Sequence, residues 1–340
     1  MVQHRVAKMA VVALGTFLLS SGILSAQTPA AAPAAASATD PRVVGATYLH
    51  LNVANLDRSL AFYRDVVGLE VVTPPAEPRS AGNLLSEPNA RLRTTVLRWP
   101  GGTFRMELVE WSGIPVRPQQ ARIQDPGAVM LAFRTTRVDA QLDAAKRLGL
   151  TPLTAGGAPI VGGGRSGQTR AIVLRDADGF VVELLQPLGE AAVPDVQTFI
   201  TVADLAQTVQ FYNQALGFSL PAPGPAAPAS DRIKTLFGDT ALASIRSTRA
   251  TFPGSDVTLE LQELIAPDRK PVRHRVQDPG GPVLPITVQN LSAVIARARV
   301  TGGTIGAGET SAPVATDARS AWVRDPNGLL LQVSLPRPTN

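Results

Sequence analysis

Residues 59–71 read SLAFYRDVVGLEV, and residues 208–220 read TVQFYNQALGFSL. The shared Phe-Tyr pair and the apolar residues at helical spacing make each a helix with one buried face, and Gly68 sits where a helix C-terminus is closed. Two further matches lie outward in the same order: RIQDPG (122–127) with RVQDPG (275–280), and RDADGFVVEL (175–184) with RDPNGLLLQV (324–333). The offset stays at about 150 residues throughout, which indicates a duplicated domain with its boundary near GEAAVPD, 189–195.

Each half divides again. Residues 47–53 alternate as a strand, and 55–67 follow as a helix through Leu56, Leu60, Phe62, Tyr63, Val66 and Val67. The order recurs from 128 as the strand AVMLAFRT, the helix VDAQLDAAKRLG and the hairpin RAIVLRDADGFVVELLQP, turned at 177–179. In the second half it appears at 196 and at 283. The reading is α+β, with four βαβββ modules paired into two cupped mixed sheets.

The chain has 340 residues, is 44% hydrophobic and contains no cysteine, so it packs its cores without disulfides. Residues 1–26 show a basic start (His4, Arg5, Lys8), an apolar run shorter than a membrane span and a small-residue exit at Leu-Ser-Ala. This is the pattern of a cleaved signal peptide, and it predicts a periplasmic or secreted protein without stable membrane insertion. Residues 27–42, rich in Ala and Pro, read as a tether. The net charge of +5 comes from scattered basic residues with no run among them, which argues against nucleic acid as a partner.

The stretches HLNVANLDRSLAFYRDVVGLEV, FRMELVEW and VLRDADGFVVELLQP resemble the vicinal oxygen chelate (VOC) superfamily, which includes glyoxalase I, extradiol dioxygenases and the fosfomycin and bleomycin resistance proteins. The resemblance implies tandem VOC domains at 43–190 and 195–336. In such folds one face of each sheet is covered by helix and the other curves around a ligand, so strand alternation sorts the side chains. Leu49, Leu51 and Val53 fall under the helix, while Tyr48, His50 and Asn52 face the cavity. Arg105, Glu107 and Val109 turn inward on another strand, as do Met130, Ala132 and Arg134, and Val181, Glu183 and Leu185.

Metal-binding relatives place His or Gln at the start of a module's first strand and Glu on its last. Here the first-strand positions of the first half hold Tyr48 and Met130, and the last-strand positions hold Glu107 and Glu183. His50 lies two residues past the family position. The favoured expectation is therefore a cup in the first half that binds a small polar or anionic molecule without metal. Tyr48, His50, Asn52, Arg105 and Arg134 would contact the ligand, Glu107 and Glu183 would be the catalytic carboxylates if the protein is an enzyme, and the two Arg would neutralise them. The alternative is a glyoxalase- or dioxygenase-type enzyme with a divalent metal (zinc, iron, manganese or nickel) on His50, Glu107 and Glu183.

The second half offers Gln197, Phe199, Thr201, Glu260, Val283, Pro285 and Gln332, a poorer set. His274 reads as a surface residue between Arg273 and Arg275, and GGAPIVGGGRSGQ (156–168) as a mobile lid over the first cup. Each half is expected to have a separable core. The sequence leaves open whether modules pair within or between halves, and whether the chain forms a homodimer.

Overall fold

A computed structural model describes residues 40–45, 48–81, 87–164, 167–306 and 319–337. The expected signal peptide and nearly all of the tether lie outside them.

The first module comprises β1 (Val43–Gly45), β2 (Tyr48–Val53), α1 (Leu56–Ala61), β3 (Glu70–Thr73), β4 (Arg79–Ser80), β5 (Arg91–Arg98) and β6 (Arg105–Ser112). The second has β7 (Val129–Arg134), α2 (Val138–Arg147), β8 (Ile160–Gly164), β9 (Gly167–Arg175) and β10 (Val181–Pro187). The third has β11 (Val196–Thr201), α3 (Leu205–Leu216), β12 (Ala227–Pro228), α4 (Asp231–Phe237), β13 (Ser244–Thr251) and β14 (Thr258–Ile265). The fourth has β15 (Pro282–Val288), α5 (Leu291–Val300), β16 (Thr304–Ile305), β17 (Ser320–Arg324) and β18 (Leu330–Ser334).

The helices start and stop where the sequence dictates. Asn55 caps α1 by accepting from the Arg58 amide, and Asp204 caps α3 in the same way. From Phe62 to Val67 the first helix continues as a π-helix, and Gly68 ends it at a left-handed φ of 97°.

The strands pair between the halves, not within them. One sheet runs β16-β17-β18-β15-β2-β6-β5-β3 and joins modules four and one through antiparallel β15 and β2. The other runs β12-β13-β14-β11-β7-β10-β9-β8 and joins modules three and two through β11 and β7. The expectation of a separable core in 43–190 is therefore corrected: β2 and β7, which would have had to pair, lie in different sheets, each completed by a strand from the other half. Backbone hydrogen bonding across an inner edge carries no side-chain code that would select its partner.

Helix-side residues from both sheets, including Leu49, Leu51, Leu108, Leu131, Phe133, Leu259 and Leu331, form one continuous core with the helices. The opposite faces carry two separate, smaller apolar clusters, one per sheet. Alternation along β2 is as the sequence predicts, with Leu49, Leu51 and Val53 at most 1% exposed.

Candidate functional site

The exchange of modules divides the predicted cup residues between two cavities. In the first sheet His50 and Glu107 are register partners on β2 and β6, and the imidazole Nδ1 lies 3.3 Å from the Glu107 carboxylate. Both line a cavity of about 130 Å³ with Trp111 from their own module and Trp322 and Gln332 from the fourth. Burial pushes His50 down to about 4, so the ring is neutral at physiological pH. Burial also raises Glu107, against the pull of the Arg79 guanidinium.

Other predicted contacts serve the scaffold. Asn52 is 2% exposed, donates to the Gly281 carbonyl at 2.7 Å and accepts from the Trp111 indole at 2.9 Å, which fixes that ring in the cavity wall. Tyr48 is exposed, with its ring edge-on to His50 at a centroid distance of 6.3 Å. Arg105 turns back onto the carbonyls of Gly102 and Phe104, and Arg134 pairs with Asp195 at the surface. Neither arginine neutralises Glu107 or Glu183, a correction to the sequence reading. Both lie at a strand end, where a long side chain reaches solvent or loop carbonyls more easily than the cup.

Glu183 faces the second sheet's cavity, about 460 Å³ in volume, together with Met130, Gln197, Phe199, Arg232, Arg249 and Glu260. His50, Glu107 and Glu183 are thus not brought together, and among the described residues no three His, Asp or Glu side chains converge on a metal-sized site. Glu183 is 6% exposed. Burial drives its carboxyl up to about 7, with Arg232 opposing the shift and the neighbouring charge of Glu260 adding to it. Glu260 accepts from the Ser247 hydroxyl at 2.6 Å and sits opposite Arg249 on the adjacent strand.

Arg232 escaped the sequence reading because it lies in an insert after the Pro- and Ala-rich run 221–229. The signal was present nonetheless: Ser230 caps α4 by accepting from the Ile233 amide, and Gly238 closes it at φ 62°. The helix lays Arg232 across the bare backbone of Gly162, where a Cβ would meet the arginine Cδ at 2.1 Å. Its Nη2 donates to the Thr169 hydroxyl at 2.9 Å, and its Nε is buried without a hydrogen-bond partner.

The glycine-rich segment expected as a lid over the first cup forms the β8–β9 hairpin at the edge of the second sheet. Its Gly163 and Gly167 line the larger cavity, and residues 165 and 166 lie outside the described residues. His274 is likewise corrected: it is 1% exposed and held at 2.7 Å from the Pro282 carbonyl, because its connector tucks beneath β15.

Known proteins share this architecture. The profile of the glyoxalase-like domain matches residues 48–185, and that of the Glyoxalase/Bleomycin resistance protein/Dioxygenase superfamily matches 196–333. No curated protein sequence matches the chain. Among solved structures, glyoxalase I from Zea mays is 18% identical with a TM-score of 0.55, over 85% of this chain and 91% of that one. A glutamate-to-glutamine mutant of the same plant enzyme is 17% identical with a TM-score of 0.53, over 85% and 93%. At these identities the likeness concerns the fold.

Proposed function

Because the chain belongs to the vicinal oxygen chelate superfamily, a scaffold that hosts unrelated chemistries, we propose its function from the cavity itself: it binds a small polar or anionic molecule in the larger cup, between Arg232 and Glu183. The observation that carries this reading is the guanidinium of Arg232, which lines a cavity of about 460 Å³ beside Glu183, bonded to the Thr169 hydroxyl and in no ion pair among the described residues. A guanidinium with no carboxylate partner favours an anionic oxygen from a ligand at its remaining N–H groups. Met130, Phe199, Ile233 and Leu236 supply an apolar wall for the rest of the molecule. A carboxyl near 7, as in Glu183, is suited to take or return a proton there at neutral pH. Titration calorimetry with inorganic phosphate and a series of short-chain carboxylates tests the reading. At least one should bind, and Arg232→Gln should weaken it about tenfold or more; equal binding by the variant would overturn the proposal.

A second reading rests on the donor set. The first- and last-strand positions of the two modules in this sheet hold Met130, Gln197, Glu183 and Glu260, so three of the four offer oxygen. Two carboxylates that repel one another and an amide suit a divalent cation, which would polarise ligand oxygens when bound. Glu183, Gln197 and Glu260 would hold it. Elemental analysis of protein purified without chelators or a His tag decides between the two readings.

Export belongs to the same proposal, on the strength of the pattern in residues 1–26. N-terminal sequencing of secreted or periplasmic material should begin near Ala26, and a chain still starting at Met1 would contradict it.

A further inference from the structure

We propose that His274 is an acid-sensitive latch on the joint between modules one and four, releasing the connector that precedes β15 as the pH falls, while the equivalent joint between modules two and three stays closed. This inference is independent of the reading of the larger cup.

The two joints between the halves are unequal. β11 and β7 share five register pairs, whereas β2 and β15 share two, Pro282 with Leu51 and Val283 with His50, and β1 adds two at the far end of β15. The connector completes the short joint. The Gly280 amide donates to the Asn52 carbonyl at 2.7 Å, and the backbone and side-chain amides of Asn52 both donate to the Gly281 carbonyl. His274 holds this connector down. Its Nε2 lies 2.7 Å from the Pro282 carbonyl, which can only accept, so the proton sits on Nε2 and Nδ1 is left as a bare acceptor. Nδ1 is buried with no hydrogen-bond partner among the described residues. The edge of the ring lies on the bare backbone of Gly281, where a Cβ would meet Cδ2 at 2.5 Å, and the His274 carbonyl accepts from Arg324.

A proton on Nδ1 sets one buried cation beside another. Arg324 faces the ring from β17 and is 8% exposed. The facing carboxylate, Asp278, already accepts from the Arg117 and Arg275 amides and from the Arg275 guanidinium. Of the neighbouring charges, Arg273 is exposed, and Asp325 is engaged by the Asn327 and Leu329 amides. Burial and then Arg324 push the ring down from 6.5 to about 4, against the Pro282 bond and Asp278. With Gly281 and Pro282 against it, the ring reaches water only when the connector lifts. Once released it ionises near 6.5, so the latch holds fully above that value and weakens progressively toward pH 4. The repeat supplies its own control. Ala121 takes the corresponding place in the first connector, where Arg175 donates to its carbonyl and the Gly127 amide donates to Thr201 as Gly280 does to Asn52.

Amide hydrogen exchange on the full chain reads both joints at once. From pH 7 to pH 5 the protection factors of Gly280 and Asn52 should fall about twentyfold, the ratio expected of a group that ionises at about 6.5 when open and about 4 when closed. Those of Gly127 and Thr201 should change less than about threefold. His274→Gln keeps an N–H for the Pro282 carbonyl and cannot ionise in this range, so in that variant the fall should vanish. His50→Gln, which removes the other histidine at this joint, should keep it. Should His274→Gln fail to fold, the ring resonances of His274 in the native chain decide the point, since the ring should remain neutral down to about pH 5 while Gly280 loses protection. No fall at Gly280, an equal fall at both joints, a fall that persists in folded His274→Gln or disappears in His50→Gln, or a ring that titrates near 6.5 with Gly280 still protected would overturn the proposal.

Discussion

The phenol of Tyr63 donates to the buried carboxylate of Asp176 across 2.8 Å, joining the first module's helix to the turn of the second module's hairpin. The repeat makes the same joint again, Tyr212 to Asp325 at 3.4 Å. Neighbouring residues reinforce both. Ser59 and the Ala54 amide donate to Asp178, while the Ala203 amide donates to Asn327, whose own amide group donates to Thr208. Helices and turns therefore bind modules within a half, while sheets bind modules between halves.

Tyr63→Phe should cost stability. The hydroxyl is the partner of Asp176 Oδ2, whereas Oδ1 is occupied by the amides of Asp178 and Phe180. Its loss leaves a fully buried oxygen unsatisfied, a penalty of about 1–3 kcal/mol. Tyr212→Phe should cost less, since its bond is longer. Urea unfolding of the two variants checks both the sign and the order, and an unchanged midpoint for Tyr63→Phe would contradict the assignment.

The same aspartates set a pH dependence. Burial lifts Asp176 and Asp325 to about 6 in the folded chain, against about 3.9 when unfolded. Between those values the folded state holds more protons, so these groups make stability fall as pH rises from about 4 to 6, and the deficit persists above 6. Asp176→Asn keeps an acceptor for the two amides and presents an NH₂ to the tyrosine oxygen. Melting profiles should show the variant gaining on the parent by on the order of 2 kcal/mol from pH 4 to pH 7. A parallel pair of profiles would show that Asp176 stays protonated or well solvated throughout.

Module exchange predicts that 43–190 will not behave as a domain. Expressed alone it would expose the inner edges of β2 and β7, each paired across halves in the whole chain. It should self-associate or aggregate, and co-expression with 191–337 should rescue a soluble one-to-one complex, visible by analytical ultracentrifugation. A monomeric 43–190 with a cooperative transition would show that modules one and two can pair with each other instead.

What was legible in the sequence is what side-chain period and repetition encode. The alternation of Leu49, Leu51 and Val53, the closing Gly68 and the doubled Tyr63 and Tyr212 helices gave the modules and the faces of their strands. Pairing partners were not legible, because Val283 against His50 or Met130 against Phe199 is a backbone register with no complementary chemistry. That gap misplaced the site: Glu107 and Glu183 were read into one cup because they belong to one half. Arg232 and Arg79 were missed because both lie in Pro-rich connectors, where a short helix or a two-residue strand leaves almost no periodicity.

Glu183→Gln separates the two readings of the larger cavity by sign. With its carboxyl near 7 when folded and about 4.3 when unfolded, Glu183 costs stability wherever it is ionised, and that cost is complete above the folded value. In a cavity that holds no cation, the neutral amide should raise the melting temperature at pH 8, by about 1–3 kcal/mol in stability once the weakened attraction to Arg232 is allowed for. At pH 5, where the parent's carboxyl is already protonated, the two proteins should melt together. If a cation sits on Glu183, Gln197 and Glu260, the substitution instead removes a ligand, so the variant should melt below the parent at pH 8 and lose metal in elemental analysis. We expect the rise, since Arg232 and Arg249 line the same wall and repel a cation entering a poorly solvated cup. A fall in melting temperature accompanied by loss of zinc, iron, manganese or nickel would make the larger cavity a metal centre and Arg232 the partner of its ligand.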